Sequence, residues 1–162
     1  MHHVRWRAAN RGDTWSIDSV SFRVLHPFPH WPHEGEDLNE DSLVIEVTYG
    51  AFRVLLTGDA GFLAEEAMAT ELRSVSVLKV GHHGSRTATS DAFLGAIRPQ
   101  AAIISVGWNN YGHPSTEALG RLGRSGARVW RTDTEGTITV TTDGRTFSVK
   151  GAGSSATFDM RH

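Results

Sequence analysis

Two adjacent histidines, His82 and His83, follow a short apolar strand in the segment SVLKVGHHGSRT, residues 76–87. Histidine binds metal ions and moves protons near neutral pH, but it needs partner residues for either task. Two further segments follow apolar strands in the same way: TGDAG carries Asp59 and GWNNYGHPS carries His113. If the three strands are parallel neighbours, these side chains emerge together at one edge of a sheet.

Hydrolytic metal centres are often built from a carboxylate and imidazoles that lie close together, and Asp59 with these histidines would supply such a group. The carboxylate supplies charge, the imidazole binds without adding charge, and the metal lowers the pKa of a bound water so that it can attack. The chain contains no cysteine, which excludes disulfides and thiolate metal sites. Each residue also has a structural explanation: Asp59 as a helix cap, the paired histidines as surface loop residues, and His113 as a loop residue packed on Tyr111. Residue types and spacing alone therefore leave a metal site and an ordinary polar surface both open.

The hydrophobic pattern predicts an α/β fold with a mixed sheet that would position these segments. Strands are predicted at residues 20–25, 42–49, 52–57, 75–80 and 101–106, and helices at 62–72, 91–97 and 116–124. The predicted N-caps are Thr89 or Ser90 for the second helix and Ser115 for the third. A strand in 127–133 and a hairpin around Asp143 and Gly144 follow. Residues 26–41 are expected to form an irregular surface segment, and the Gly-, Ser- and Ala-rich residues 151–162 a flexible tail after a domain of residues 1–150.

Length and composition are those of one ordinary globular domain. The chain has 162 residues, of which 39% are hydrophobic and 21% charged, and a net charge of −2. This charge excludes a global basic field that would attract nucleic acid or anionic lipid, so such binding would need a local patch. No apolar run reaches the length of a membrane span, and the start of the sequence lacks the apolar core of a signal peptide.

Four segments resemble the metallo-β-lactamase-fold domain at the C-terminus of ComEC-type competence proteins: NEDSLVIEVTYGAFRVLLTGDAG, VLKVGHHGSRTATSDAFL, RPQAAIISVGWNNYGHPSTEAL and VWRTDTEGTITV. The resemblance covers residues 20–140, and the order TGD, GHHGS and NNYGHP is specific. It implies an αββα sandwich of the metallo-β-lactamase type. The parents of this family are bacterial inner-membrane proteins that import single-stranded DNA, and their soluble domain is thought to be the nuclease that degrades the other strand.

The resemblance also implies roles for individual residues. Asp59 matches the metal-bridging aspartate, and His82 matches the last histidine ligand, with His83 either supporting it or acting as the ligand itself. His113 matches a histidine near the scissile phosphate, where it would bind the transition-state oxyanion or protonate the leaving group. The expected catalytic residues are thus Asp59 and His113, and the expected metal is manganese or zinc. The expected substrate-binding residues are Ser85, Arg86, Asn110 and His113.

One departure from the family is large, because its first metal motif, HxDxDH, does not occur in this sequence. The histidines His26, His30 and His33 have neither its spacing nor its aspartates, and Asn39 stands where many relatives carry another histidine ligand. The sequence therefore corresponds to the C-terminal half of the sandwich only. We expect this half to hold metal weakly and to be inactive without the N-terminal half. We also expect an exposed apolar sheet face that normally meets the missing half, and such a face would favour a homodimer or low stability.

Two alternatives remain open. Another phosphodiester hydrolase of the same fold, similar to the phosphorylcholine esterases, would share the GHHG loop and differ in substrate. A non-catalytic module would bind DNA or a partner protein without turnover. Single-strand binding would require a basic and aromatic track, for which Arg86, Trp108, Tyr111 and Arg131 are candidates, although Trp108 and Trp130 also suit the core.

Overall fold

The computed structural model describes residues 7–31 and 38–160. His33 and the final two residues of the expected tail lie outside this part of the chain. The strands are β1 (Thr14–Ile17), β2 (Val20–His26), β3 (Val44–Tyr49), β4 (Phe52–Leu56), β5 (Val77–Lys79), β6 (Ala101–Ile104), β7 (Arg128–Arg131), β8 (Thr139–Thr142), β9 (Thr146–Lys150) and β10 (Ser155–Asp159). The helices are α1 (Phe62–Ala67), α2 (Asp91–Ile97), α3 (Thr116–Ser125) and α4 (Thr132–Glu135). Short 3₁₀ turns occupy Leu38–Asp41 and Ala69–Glu71, and Gly81–Gly84 forms a tight turn in which His82 and His83 have positive φ.

The main sheet has seven strands, and their order in space is their order in the sequence. Strands β1 to β4 are antiparallel, whereas β4 to β7 are parallel. The parallel pairing follows from the crossovers through α1, α2 and α3, which return the chain to the same end of the sheet. The predicted α/β class with a mixed sheet is confirmed. The carboxyl ends of β4, β5 and β6 therefore lie side by side.

Helices α1 to α3 cover one face of this sheet and enclose the larger core. The deepest side chains of this core include Leu55, Leu78, Phe93 and Leu122. Ser90 caps α2 by accepting a hydrogen bond from the Phe93 N–H, and Ser115 caps α3 in the same way. Of the two predicted caps for α2, Ser90 is therefore the one used. The helix predicted over 62–72 is divided, because α1 ends at Ala67 and a separate 3₁₀ turn follows.

A second sheet covers much of the opposite face. Its order is β10, β9, β8, and its side chains Phe147 and Val149 pack on Phe52, Val77 and Trp130. The sequence prediction was wrong in two respects here. The segment expected to be a flexible tail contains β10, which pairs with β9 along its length. The expected exposed sheet face is covered across β4 to β7.

The same face stays more exposed at β1 and β2. Trp15 is 41% exposed and Ile17 is 60% exposed, and the Trp15 ring stacks on Phe22 at 5.1 Å between centroids. The homodimer expected from such a face stays a prediction. Within residues 7–31 and 38–160, none of the helices combines the length and the apolar character needed to cross a bilayer.

Candidate functional site

Three loops leave the carboxyl ends of β4, β5 and β6 and meet at one edge of the sheet. We call them the first loop (residues 57–61), the second loop (residues 81–90) and the third loop (residues 105–115). Backbone hydrogen bonds join them: the His82 N–H donates to the Gly58 carbonyl at 3.1 Å, and the Ser115 N–H donates to the Gly84 carbonyl at 2.8 Å. The predicted convergence of Asp59, His82, His83 and His113 is thus observed.

His83 faces Asp59 across the boundary of the first two loops. The distance from His83 Nε2 to Asp59 Oδ1 is 3.5 Å. On the other side of the ring, Nδ1 lies 2.6 Å from the Ser105 carbonyl oxygen. Because a carbonyl only accepts, Nδ1 carries the hydrogen, and Nε2 of the neutral ring presents a lone pair to the carboxylate. A cation or a proton between Nε2 and Oδ1 would stabilise this arrangement, which is typical of a histidine ligand supported by a carbonyl.

His82 points instead toward the third loop. Its ring meets that of His113 edge to face at 5.5 Å, and Tyr111 stacks on the other side of His113 at 6.0 Å. Burial lowers the pKa of His113, and the neighbouring imidazoles His82 and His83 lower it further. Nδ1 of His113 is buried and has no hydrogen-bond partner among the described residues. The His113 ring is therefore favoured in its neutral form and keeps an unused polar atom.

The backbone of the second loop explains the glycines that flank the histidines. His82 and His83 both adopt positive φ, at 45° and 53°, and Gly84 continues the left-handed path at 84°. A Cβ at Gly84 would lie 2.6 Å from the Cβ of Pro114. Glycine at this position thus lets the second and third loops approach closely enough for the His82 and His113 rings to touch.

Two charged side chains from different helices, the buried Glu65 and the partly exposed Arg121, hold the rest of the second loop. Glu65 of α1 accepts hydrogen bonds from the N–H groups of Thr89 and Ser90, the latter at 2.8 Å. Arg121 of α3 donates to the carbonyls of Arg86, Ala88 and Thr89 at 2.8–2.9 Å. The loop that carries the paired histidines is consequently fixed by α1 and α3, not by its own residues alone.

The third loop is organised by Asn109, which the sequence analysis overlooked. Its Oδ1 accepts from the N–H groups of Tyr111 and His113 at 3.1 and 3.0 Å, and its Nδ2 donates to the Gly107 and His113 carbonyls. Asparagine commonly forms turns of this type with its own backbone, so the NN pair was an available signal. The neighbouring Asn110, predicted to bind substrate, is exposed.

The other predicted substrate-binding residues differ in their surroundings. Ser85 is buried, and its hydroxyl lies 3.1 Å from that of Thr87. Arg86 is exposed. Trp108 is 90% exposed at the surface of the third loop, whereas Trp130 is buried in the core. The roles of Ser85, Arg86 and Asn110 in binding substrate stay predictions.

Lys79 at the end of β5 is a second residue that the sequence analysis overlooked. Its Nζ donates to the Gly58 carbonyl at 3.0 Å. Burial lowers the pKa of Lys79, and the nearby Asp59 carboxylate opposes this shift. The N–H of Asp59 itself donates to the Ser42 hydroxyl at 3.0 Å. Ser42, in the segment before β3, thus holds the Asp59 backbone, and Lys79 of β5 holds the carbonyl of the preceding Gly58.

The ligand set falls short of what a metal ion requires. A structural or catalytic zinc takes at least three protein ligands. In the part of the chain that the structure describes, no group of three or more His, Cys, Asp or Glu side chains is placed to hold a metal. His26 does not contribute, because it is fully buried and its Nδ1 lies against the Ser42 carbonyl at 3.2 Å. Asp59 and His83 fit as a pair of ligands, but the described residues alone do not form a complete metal site.

Comparison with known proteins identifies the family. A family model described as the metallo-beta-lactamase superfamily matches residues 17–108. The chain belongs to this superfamily. The match includes the first loop, the second loop and the start of the third, so the candidate site lies largely within the metallo-beta-lactamase region. The αββα resemblance inferred from the sequence is thereby confirmed at the level of the superfamily.

Several curated relatives bear names connected with competence or recombination. ComE operon protein 3 of Bacillus subtilis (strain 168) is 40% identical over 131 residues, which cover 79% of this chain and 16% of that protein. Recombination protein 2 of Haemophilus influenzae is 40% identical over 130 residues, covering 80% and 16% of the two chains. Competence protein ComA of Neisseria gonorrhoeae is 34% identical over 128 residues, covering 76% and 18%. The resemblance to ComEC-type proteins is confirmed, and the chain spans 16–18% of the length of these relatives.

A solved structure supports the fold independently. A protein of Parabacteroides distasonis ATCC 8503, named as a metal-dependent hydrolase, aligns with a TM-score of 0.52 and 19% identity. The alignment covers 78% of this chain and 57% of that protein. At this identity the likeness concerns the fold alone.

Proposed function

We propose that this chain is part of a metal-dependent phosphodiesterase domain that cuts DNA during competence-linked uptake. The observation that carries the proposal is the convergence of one carboxylate and three imidazoles at the carboxyl ends of adjoining parallel strands. Carboxylate oxygens and imidazole nitrogens are ligands with which metal-assisted phosphodiester hydrolysis can proceed. The names of the competence relatives support DNA as the substrate.

Within this proposal the residues of the chain have distinct tasks. Asp59 and His83 face each other and supply two ligands, and His82 packs beside them. His113 lies on the far side of His82, where its neutral ring would donate a hydrogen bond to a phosphodiester oxygen. Arg86 is exposed near the same histidine and would bind a non-bridging oxygen.

The incomplete ligand set leads to the second part of the proposal. The missing ligands come from a further segment of the same polypeptide, as the small share of each relative that this chain covers suggests. Alone, the chain is inactive and holds manganese or zinc weakly. In the parent protein it forms a soluble domain attached to an inner-membrane channel.

The test is cleavage of end-labelled single-stranded DNA by a longer polypeptide, extended upstream in the native reading frame, with manganese, zinc or a chelator. We expect metal-dependent cleavage that Asp59→Ala reduces at least a hundredfold, since a lost ligand removes much of the metal affinity. The matched control is Asp91→Ala, because Asp91 is an exposed aspartate on α2 that pairs with Arg124. Its variant should cut like the wild type.

The same assay separates the alternatives. Cleavage of the small diester bis(4-nitrophenyl) phosphate without cleavage of DNA would favour another phosphodiester hydrolase of this fold. A folded polypeptide that cuts neither substrate with either metal would contradict the catalytic proposal. The non-catalytic binding module, which the incomplete ligand set also favours, would then replace it.

A further inference from the structure

Two aromatic side chains of the third loop are exposed beside the candidate site. Trp108 is 90% exposed and Tyr111 is 82% exposed, although large aromatic side chains usually contribute to the core. Asn109 lies between them in the sequence and fixes the loop through four hydrogen bonds, including one from the Tyr111 N–H. The two rings are therefore carried by an ordered backbone. Because both are exposed, packing in the core of the described residues does not explain why aromatic side chains stand here.

A cleft of about 840 Å³ opens next to these rings. It lies between the third loop and residues 132–138, and His83 and His113 of the candidate site line one part of it. Its other lining groups are apolar side chains, hydroxyls, glycines and one amide, without any carboxylate, ammonium or guanidinium group. An uncharged cleft with aromatic side chains suits a flat, neutral, polar ring better than a phosphate.

A smaller pocket of about 300 Å³ also borders His113, and the Arg86 guanidinium forms part of its lining. His113 and Tyr111 line both cavities, and Arg86 lines only the smaller one. Glu117 also borders this pocket, and the Thr116 hydroxyl donates to its carboxylate. A guanidinium with five donors suits phosphate oxygens, so an anion in this pocket would depend on Arg86.

The two cavities therefore separate a neutral aromatic surface from a pocket that presents the Arg86 guanidinium beside the Glu117 carboxylate, and His113 lines both. We propose that the cleft binds an unpaired base of single-stranded nucleic acid, stacked on Trp108 and Tyr111, while the adjoining phosphate lies against His113 and Arg86. The assignment of the phosphate rests on the proposed function. The base assignment rests on the rings and the cleft. A base pair in a duplex hides both ring faces, so duplex DNA does not fit this surface.

The test measures binding of the chain, without metal, to fluorescein-labelled oligonucleotides of twelve residues by fluorescence anisotropy. Loss of a stacked base weakens binding by about tenfold or more, so Trp108→Ala and Tyr111→Ala should each raise the Kd for oligodeoxythymidine by about that factor. The matched control is Trp15→Ala, an exposed tryptophan on β1, which should leave the Kd unchanged. An abasic oligomer of equal length should have the same Kd for the wild type and for Trp108→Ala. An oligouridine of equal length should show the same change in Kd between these two proteins as oligodeoxythymidine does.

Several results would overturn the inference: no binding of oligodeoxythymidine by the wild type, an unchanged Kd for Trp108→Ala, or equal affinity for duplex and single strand. Failure here is distinguishable from failure of the proposed function. If the longer polypeptide cuts DNA and Trp108→Ala leaves its KM unchanged, the base-binding inference fails and the nuclease proposal stands. If the chain binds unpaired bases through Trp108 but the longer polypeptide cuts nothing, the base-binding inference stands and the nuclease proposal fails.

Discussion

His26 illustrates how a single side chain links the stability of this fold to pH. It is fully buried, with Trp31 and Phe28 packed edge-on at 4.7 and 5.8 Å, and its Nε2 has no partner among the described residues. Burial lowers the pKa of His26, outweighing the Ser42 carbonyl that accepts from its Nδ1. The folded state therefore binds a proton on His26 less readily than the unfolded state does.

The consequence is a stability that falls in mild acid. The contribution of His26 is fully present above the unfolded pKa of about 6.5, and it is lost as the pH falls from there through the lowered folded pKa. We predict that the free energy of unfolding, measured with urea between pH 8 and 5, decreases less steeply in His26→Leu than in the wild type. The control His30→Asn replaces an exposed histidine at positive φ and should keep the wild-type slope. An unchanged slope in His26→Leu would refute this explanation.

At the residue scale, the sequence predicted which side chains meet at the candidate site better than the groups that orient them. Asp59, His83 and His113 were recognisable because each follows a strand and a glycine. Ser105 and Lys79 were not recognisable in the sequence. Ser105 acts through its backbone carbonyl, which contacts the His83 ring. Lys79 acts through contacts with Gly58 and Asp59, which belong to the first loop. The exposure of Trp108 was equally hidden, because nothing in the sequence distinguishes an exposed tryptophan from a buried one such as Trp130.

At the element scale, α1 stabilises the second loop through a side chain that is not in the candidate site. The buried carboxylate of Glu65 accepts from the N–H groups of Thr89 and Ser90, and burial raises the pKa of Glu65. We predict that Glu65→Ala lowers the free energy of unfolding by about 2 kcal/mol, because it leaves two N–H groups without their acceptor. The cost of burying the charge offsets part of this loss.

The matched control is Glu66→Ala, its exposed neighbour on the same helix, which should change stability by less than about 0.5 kcal/mol. Urea unfolding of the two variants at pH 7 makes the comparison. Equal effects in both variants would show that Glu65 does not hold the loop.

The elements themselves were predictable where local chemistry determines them. Ser90 and Ser115 mark helix starts through their own hydroxyls, and the turn at Gly50, with φ of 58°, marks the hairpin of β3 and β4. Strand β10 was not predictable, because its Gly-, Ser- and Ala-rich approach resembles a flexible end. Its stability comes from pairing with β9 and from the stacking of Phe158 on Phe147 at 4.6 Å.

At the scale of the whole molecule, the fold gathers candidate metal ligands at one edge of the main sheet. The described residues do not form a complete ligand set there. The parallel strands β4 to β6 deliver Asp59, His82, His83 and His113 to one place, and most of this edge lies within the residues that the superfamily model matches. The parallel direction of β4 to β7 could be predicted from the helical crossovers that connect these strands. The packing of β8 to β10 over the opposite face could not, because it depends on contacts distant in the sequence.

The most direct test of this account is the metal content of purified protein after dialysis, measured by elemental analysis for the present chain, for the longer polypeptide and for its Asp59→Ala variant. We predict at least one equivalent of manganese or zinc in the longer polypeptide, and much less in both its Asp59→Ala variant and the present chain. A full equivalent retained by the present chain, or by the Asp59→Ala variant of the longer polypeptide, would contradict the proposal that this edge supplies part of a shared metal site.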